Sequence, residues 1–194
     1  MERAVAISII WAALAAGQTT LTLVGPSTVR PGFTYAVNVM LSNPPPDLAA
    51  LQWSAALPPG FQASAWTCVA GAATALAAKE LYCNPASTTC LTVGINTNLY
   101  ASGVVAIYSL AIPADAAPGP VAIPLSGLVG ATLAGGNAPL TAGAPYSILV
   151  LDPTDLNGDG RTDVQDLQLI IQRILAVGSA LTVRDAQIVA KAAL

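Results

Sequence analysis

The chain has 194 residues with ten acids, seven bases and no histidine, enough for one domain with a sizeable core plus a small appendage. A net charge of -3 without a basic patch argues against nucleic-acid capture. The lack of histidine removes the commonest general base, the usual Ser and Cys triads and most zinc sites.

The chain begins with MER, runs through an apolar stretch from Ala4 to Ala16 and offers small residues at Ala13, Ala15 and Gly17. This pattern predicts a secretory signal peptide over residues 1–17, cleaved after Ala15 or Gly17. The apolar stretch is too short for a stable bilayer-spanning helix, and no second run of membrane length follows. The expected location is secreted, extracellular or on the cell surface. No cysteine stands directly after the cleavage site, so a lipid anchor is not expected.

Between residues 18 and 150 the charged residues are Arg30, Asp47, Lys79, Glu80 and Asp115, among many Ala, Thr, Pro, Gly and Val. That composition suits a secreted β-protein. Short β-prone runs alternate with Pro and Gly: TTLTLVG, FTYAVNVML, LQWSAAL, FQASAW, KELYC, CLTVGIN, GVVAIYSLAI, PVAIPLSG and PYSILVL. Their spacing predicts a sandwich or jelly roll. In the second run Phe33, Tyr35, Val37, Val39 and Leu41 share one face by period-two alternation and Thr34, Ala36, Asn38 and Met40 the other, so one face is expected to be buried more deeply. The Ala-rich segment from Ala70 to Ala78 reads as a helical turn or flap.

Trp53 alternates with Leu51, Ala55 and Leu57, which places it in the core, whereas Trp66 stands near a strand end where it could be exposed and stack on a sugar. Export makes the cysteines disulfide candidates. Cys83 and Cys90 flank the turn-like NPASTT and could staple a hairpin; Cys68 is either a buried thiol or the true partner of Cys83. Three pairings are open, with Cys83–Cys90 preferred. Glycoside hydrolysis needs two carboxylates facing one sugar bond, and Asp47, Glu80 and Asp115 are scattered over separate segments. A non-catalytic protein is expected.

Three segments, VGPSTVRPGFTYAVNVMLSN, GVVAIYSLAIPADAAPGPVAIPLSG and YSILVL, together resemble a bacterial cohesin domain over about residues 19–151. The resemblance implies a nine-stranded sandwich related to carbohydrate-binding modules, used to bind a dockerin and not to catalyse.

The run DLNGDGRTDVQD, from Asp155 to Asp166, has the spacing of an EF-hand calcium loop. Ca²⁺ takes about six to eight oxygen ligands, which such a loop supplies from positions 1, 3, 5, 7, 9 and 12. Those positions are Asp155, Asn157, Asp159, the carbonyl of Arg161, Asp163 and Asp166, with Gly160 at the sharp turn. The competing reading is an acidic turn that binds nothing, but four carboxylates crowded together repel one another without a cation. Asp166 stands where the usual EF-hand has Glu, and that shortening is also the pattern of dockerins.

After the loop, VQDLQLIIQRIL predicts a helix with Leu167, Ile170, Ile171 and Ile174 on one apolar face. A repeat follows at an offset of 19 residues, matching Val164, Asp166, Gln168 and Leu169 to Val183, Asp185, Gln187 and Ile188. The segment therefore resembles a dockerin, a helix pair. In the second copy Ile174, Ala176 and Gly178 replace the first three ligands, so one calcium ion is expected, and Ser179 or Thr182 caps the second helix instead. The resemblance implies that Val164, Gln165, Gln172, Val183, Arg184 and Lys191 touch a protein partner; for Val164 and Val183 a core role is the alternative. No Gly/Ser or Pro/Thr linker separates the last strand from the loop, so the appendage is expected to pack on the sandwich.

The expected architecture is mainly β: a signal peptide over 1–17, a cohesin-like jelly-roll β-sandwich over 18–151 and a dockerin-like EF-hand helical appendage over 152–194. The expected function is exported assembly or adhesion through cohesin/dockerin-type modules, including self-association. Polysaccharide binding and a purely structural, calcium-stabilised role are the alternatives.

Overall fold

A computed structural model describes residues 18–61, 66–176 and 183–192. The expected signal peptide, the side chains of Trp66 and Val183, and the expected helix caps Ser179 and Thr182 lie outside the described residues.

Two five-stranded sheets face each other. The first runs β12 (Thr141–Ala142), β1 (Thr20–Val24), β3 (Thr34–Ser42), β8 (Gly103–Ala111) and β5 (Trp66–Ala70). The second runs β11 (Asn137–Ala138), β10 (Leu125–Thr132), β4 (Leu48–Ala55), β7 (Thr89–Val93) and β6 (Glu80–Asn84). A third sheet has three strands, β2 (Thr28–Val29), β13 (Tyr146–Val150) and β9 (Gly119–Ile123). Helix α1 (Ala72–Leu76) falls within the Ala-rich segment, as expected. Helices α2 (Val164–Leu175) and α3 (Val183–Ala192) follow the sandwich. Among the described residues no helix is long and apolar enough to cross a membrane.

The period-two pattern explains the core. Leu21 and Leu23 of β1, with Val37, Val39 and Leu41 of β3, point inward and are buried. Phe33, assigned by alternation to the same face, is 60% exposed because it precedes the first residue of β3. Trp53 of β4 and Tyr108 of β8 are both 0% exposed, and the indole Nε1–H donates to the Tyr108 hydroxyl at 2.6 Å. This bond crosses the sandwich from one large sheet to the other, giving two large apolar rings a satisfied polar contact.

Thirteen strands are described where nine were expected, and β2, β11 and β12 contain only two residues each. The run PVAIPLSG divides at Pro124 into β9 and β10, which belong to different sheets. Proline has no N–H to continue a ladder, while the Pro124 carbonyl accepts from Ala56 N at 3.0 Å. Strand β10 then continues through Gly127, where sequence alone suggested a turn. The glycine adopts φ +59° within the register shift between Ser126 and Val129, so it makes a bulge and not a strand end. The expected run FQASAW gives way to β5 at Trp66–Ala70, while residues 62–65 are outside the described set.

Candidate functional site

The acidic loop begins where β13 leaves the small sheet. Leu151 N still donates to the Val29 carbonyl at 2.8 Å, after which Asp152 turns the chain. The Asp152 carboxylate accepts from Thr154 N at 2.8 Å, and its carbonyl accepts from Asp155 N at 3.0 Å. The first loop residue is thus placed by the end of a sheet strand.

Both carboxylates at the loop's ends, Asp155 and Asp166, are fully buried. Asp155 Oδ1 accepts from Gly158 N and its Oδ2 from Gly160 N, each at 2.8 Å. The two glycines have φ of +79° and +86°, a region that residues with a Cβ enter only at a cost. Asn157 Oδ1 accepts from Asp159 N at 2.8 Å, and Asp159 Oδ1 from Arg161 N at 2.9 Å. At the far end Asp166 Oδ1 accepts from Leu156 N at 2.7 Å and Asn157 N at 3.0 Å, while its Oδ2 accepts from Asp163 N at 2.9 Å. Residue 12 of the loop therefore reaches back to residues 2 and 3 and closes the ring.

Burial pushes the Asp166 carboxyl upward, but the backbone N–H groups of Asp163, Asn157, Leu156 and Asp166 itself outweigh it and hold the group below the usual carboxylate value. The same side chain has a second task. Asp163 is the N-cap of α2, accepting from Gln165 N at 2.7 Å, and Asp166 completes a reciprocal capping box. Sequence reading assigned both acids to ligation and missed this role, although the D-x-x-D spacing before an apolar run carries the signal.

The donor set is oxygen throughout, as a hard divalent cation requires. A carboxylate has about four lone-pair sites, so Asp155, with two occupied by N–H groups, retains capacity for an ion. The residues at loop positions 1, 3, 5, 7, 9 and 12 thus fit calcium by chemistry. Their side chains do not gather as tightly as a loaded site would. Among the described residues, three ligand atoms of His, Cys, Asp or Glu come within 4.8 Å of one another only at Cys68, Cys83 and Cys90.

Arg30, directly after Val29 of β2, reaches the loop from the sandwich. Its Nη2 donates to the Leu156 carbonyl at 3.2 Å across 126 residues of chain. A Cβ at Gly158 would lie 3.8 Å from both Arg30 Nη2 and Leu151 Cδ1, and one at Gly160 would lie 3.7 Å from Leu149 Cδ2. The loop therefore sits against Arg30 and the end of β13, as the absence of a linker led one to expect. No local sequence signal could have nominated Arg30.

Helices α2 and α3 pack together and bury Ile170 and Val189, while Val164, Ile171, Leu175 and Ile188 stay exposed. These two residues also stand 19 apart, so the repeat extends to the buried position of each helix. Leu167 and Ile174 are partly buried, whereas Ile171, expected on the same face, is 42% exposed. Of the residues suggested for partner contact, Val164 is 62% exposed, and Gln165, Gln172, Arg184 and Lys191 are exposed as well.

The structure brings all three cysteines together. Cys83 is directly opposite Cys90 in the β6–β7 ladder, the preferred pair, and the Cys68 sulfur lies within 4.8 Å of both. Cys68 joins the group because β5 and β6 are neighbouring edges of the two large sheets, a proximity that spacing along the chain does not encode.

No family model matches the sequence, and no curated protein matches it. Solved structures do match in fold. A chain of the CaDoc0917–CaCohA2 complex, CaCohA2 being from Clostridium acetobutylicum, is 17% identical with a TM-score of 0.54, over 69% of this chain and 99% of that one. The third ScaB cohesin of Ruminococcus flavefaciens, solved with a group 1 dockerin, is 13% identical with a TM-score of 0.54, over 72% of this chain and 99% of that one. A cohesin module from a Clostridium perfringens family 33 glycoside hydrolase is 11% identical with a TM-score of 0.51, over 69% and 95%. The sandwich accordingly has a cohesin-like fold.

Proposed function

We propose that this chain is a non-catalytic assembly module, exported from the cell, whose cohesin-like sandwich over residues 18–151 docks a dockerin-type protein. The observation that carries this reading is the fold itself, matched along nearly the whole length of cohesin modules that were solved with dockerins.

The second half of the proposal concerns residues 152–194, read as a dockerin-like appendage with one calcium ion. Asp155, Asn157, Asp159, the Arg161 carbonyl, Asp163 and Asp166 would hold it. The ion would neutralise the crowded carboxylates and stiffen the entry to α2. Val164, Gln165 and Gln172 on α2, with Val183, Arg184 and Lys191 on α3, would then offer a surface to a cohesin, including that of a second copy. Support comes from the oxygen donors at the loop positions that an EF-hand uses and from the 19-residue repeat shared by the two helices.

The experiment is capture of purified dockerins and cohesins on the immobilised full chain, with and without EDTA. Saturable binding of a dockerin supports the sandwich as receptor. Binding of a cohesin that EDTA abolishes supports the appendage. Failure of both, with the chain strictly monomeric in calcium, overturns the proposal.

A further inference from the structure

Cys68 lies on β5, at the edge of the first large sheet, while Cys83 and Cys90 face each other across β6 and β7 at the adjoining edge of the second. The three sulfurs lie within 4.8 Å of one another, Cys68 Sγ standing 3.8 Å from Cys90 Sγ, so Cys83 can pair with either neighbour. A divalent sulfur makes only one disulfide. The two bonds are therefore alternatives, and whichever forms leaves one thiol.

The alternatives differ in what they tie and what they expose. Cys83–Cys90 closes the hairpin, with Cα atoms 4.1 Å apart, and leaves the thiol on Cys68. Cys68–Cys83 joins the two sheets, with Cα atoms 6.9 Å apart, and leaves it on Cys90. Cys90 is fully buried, with the Tyr108 hydroxyl 3.1 Å from its sulfur. Cys68 and Cys83 instead line an open groove of about 440 Å³ together with Thr67, Leu81, Tyr82 and Pro85.

We propose that Cys68, Cys83 and Cys90 form a thiol–disulfide exchange site. Cys68 meets a low-molecular-weight disulfide in the groove while Cys83 is bonded to Cys90, and is withdrawn when the bond moves. In the internal step the Cys68 thiolate attacks Cys83 Sγ; the Cys68–Cys83 bond forms, the Cys83–Cys90 bond breaks and the electron pair leaves on Cys90 sulfur. Cys90 takes up the proton equivalent that Cys68 gave up, so no oxidant or reductant is consumed. Cys90 as a disulfide sulfur or a thiolate carries no hydrogen, so in those states the contact runs from the Tyr108 hydroxyl to sulfur and steadies the leaving thiolate. In the external step the Cys68 thiolate attacks a disulfide RSSR, giving Cys68–S–SR and releasing RS⁻.

The test treats the native full chain with 2-hydroxyethyl disulfide, quenches in acid and maps disulfide-linked peptides without reduction. Native protein should yield both the Cys68–Cys83 and Cys83–Cys90 linkages. The hydroxyethyl adduct should fall on Cys68 at least about tenfold more than on Cys90, following exposure. Cys90→Ser, which leaves Cys68–Cys83 as the bond formed, should lose the adduct. A single linkage in the wild type, an adduct mainly on Cys90, or three thiols retained with a bound metal ion would each overturn the proposal. The wild-type map alone decides it if the variant does not fold.

Discussion

Asp163 and Asp166 hold the first turn of α2 from both ends, since Asp163 accepts from Gln165 N at 2.7 Å while Asp166 accepts from Asp163 N at 2.9 Å. Because Asp166 also binds the N–H groups of Leu156 and Asn157, one carboxylate joins the start of the loop to the start of the helix. The metal reading and the capping reading thus fall on the same side chain, and experiments must separate them.

Asp155 separates them best, for it caps no helix. Calorimetric titration of the wild type should show one calcium site, and Asp155→Ala should abolish it while α2 persists by circular dichroism. Two sites would mean that the second repeat ligates despite Ile174 and Ala176; none would leave the loop an acidic turn.

Asp166 should make stability depend on acid. Its folded carboxyl titrates below its ordinary value of 3.8, so the folded state binds the proton less readily than the unfolded chain. Its contribution is complete above that ordinary value and is lost as pH falls through the lowered one. With EDTA present, chemical denaturation from about pH 6 to pH 2 should show this loss in the wild type, and Asp166→Asn should flatten it. An unchanged pH profile in the variant would remove Asp166 as the cause.

Arg30 couples the loop to the sandwich through the Leu156 carbonyl. Arg30→Ala should cost about 0.5–1.5 kcal/mol and speed hydrogen exchange of the Leu156–Arg161 amides more than those of β3. Equal exchange in both regions would show that Leu149 and Leu151 hold the loop unaided.

Tyr146 fastens β13 to the turn after β1 by donating to the Pro26 carbonyl at 2.6 Å. Tyr146→Phe should destabilise the chain by about 0.5–1.5 kcal/mol, the net worth of one hydrogen bond to a carbonyl that water can reach. Burial raises the Tyr146 hydroxyl above its ordinary 10.0, so its contribution is intact below pH 10 and is lost as pH rises through the raised value. The variant should lack this alkaline loss in denaturation measured from pH 8 to about 11.5. Gly25→Ala should disturb the same contact, because a Cβ there would lie 2.6 Å from the Tyr146 hydroxyl.

The amino-acid sequence by itself determined the β-sandwich class, the inward set of Val37, Val39 and Leu41, the burial of Trp53, and the oxygen-rich spacing from Asp155 to Asp166. Each depends on local periodicity or on fixed intervals along the chain, and both survive folding. The tertiary structure decided that Gly127 bulges within a strand, that Pro124 sends its neighbours into different sheets, that Arg30 meets Leu156, and that Cys68 joins Cys83 and Cys90. Those relations depend on which strands become neighbours, a choice made by burying the two sheets against each other, where contacts 15 to 126 residues apart are set by packing.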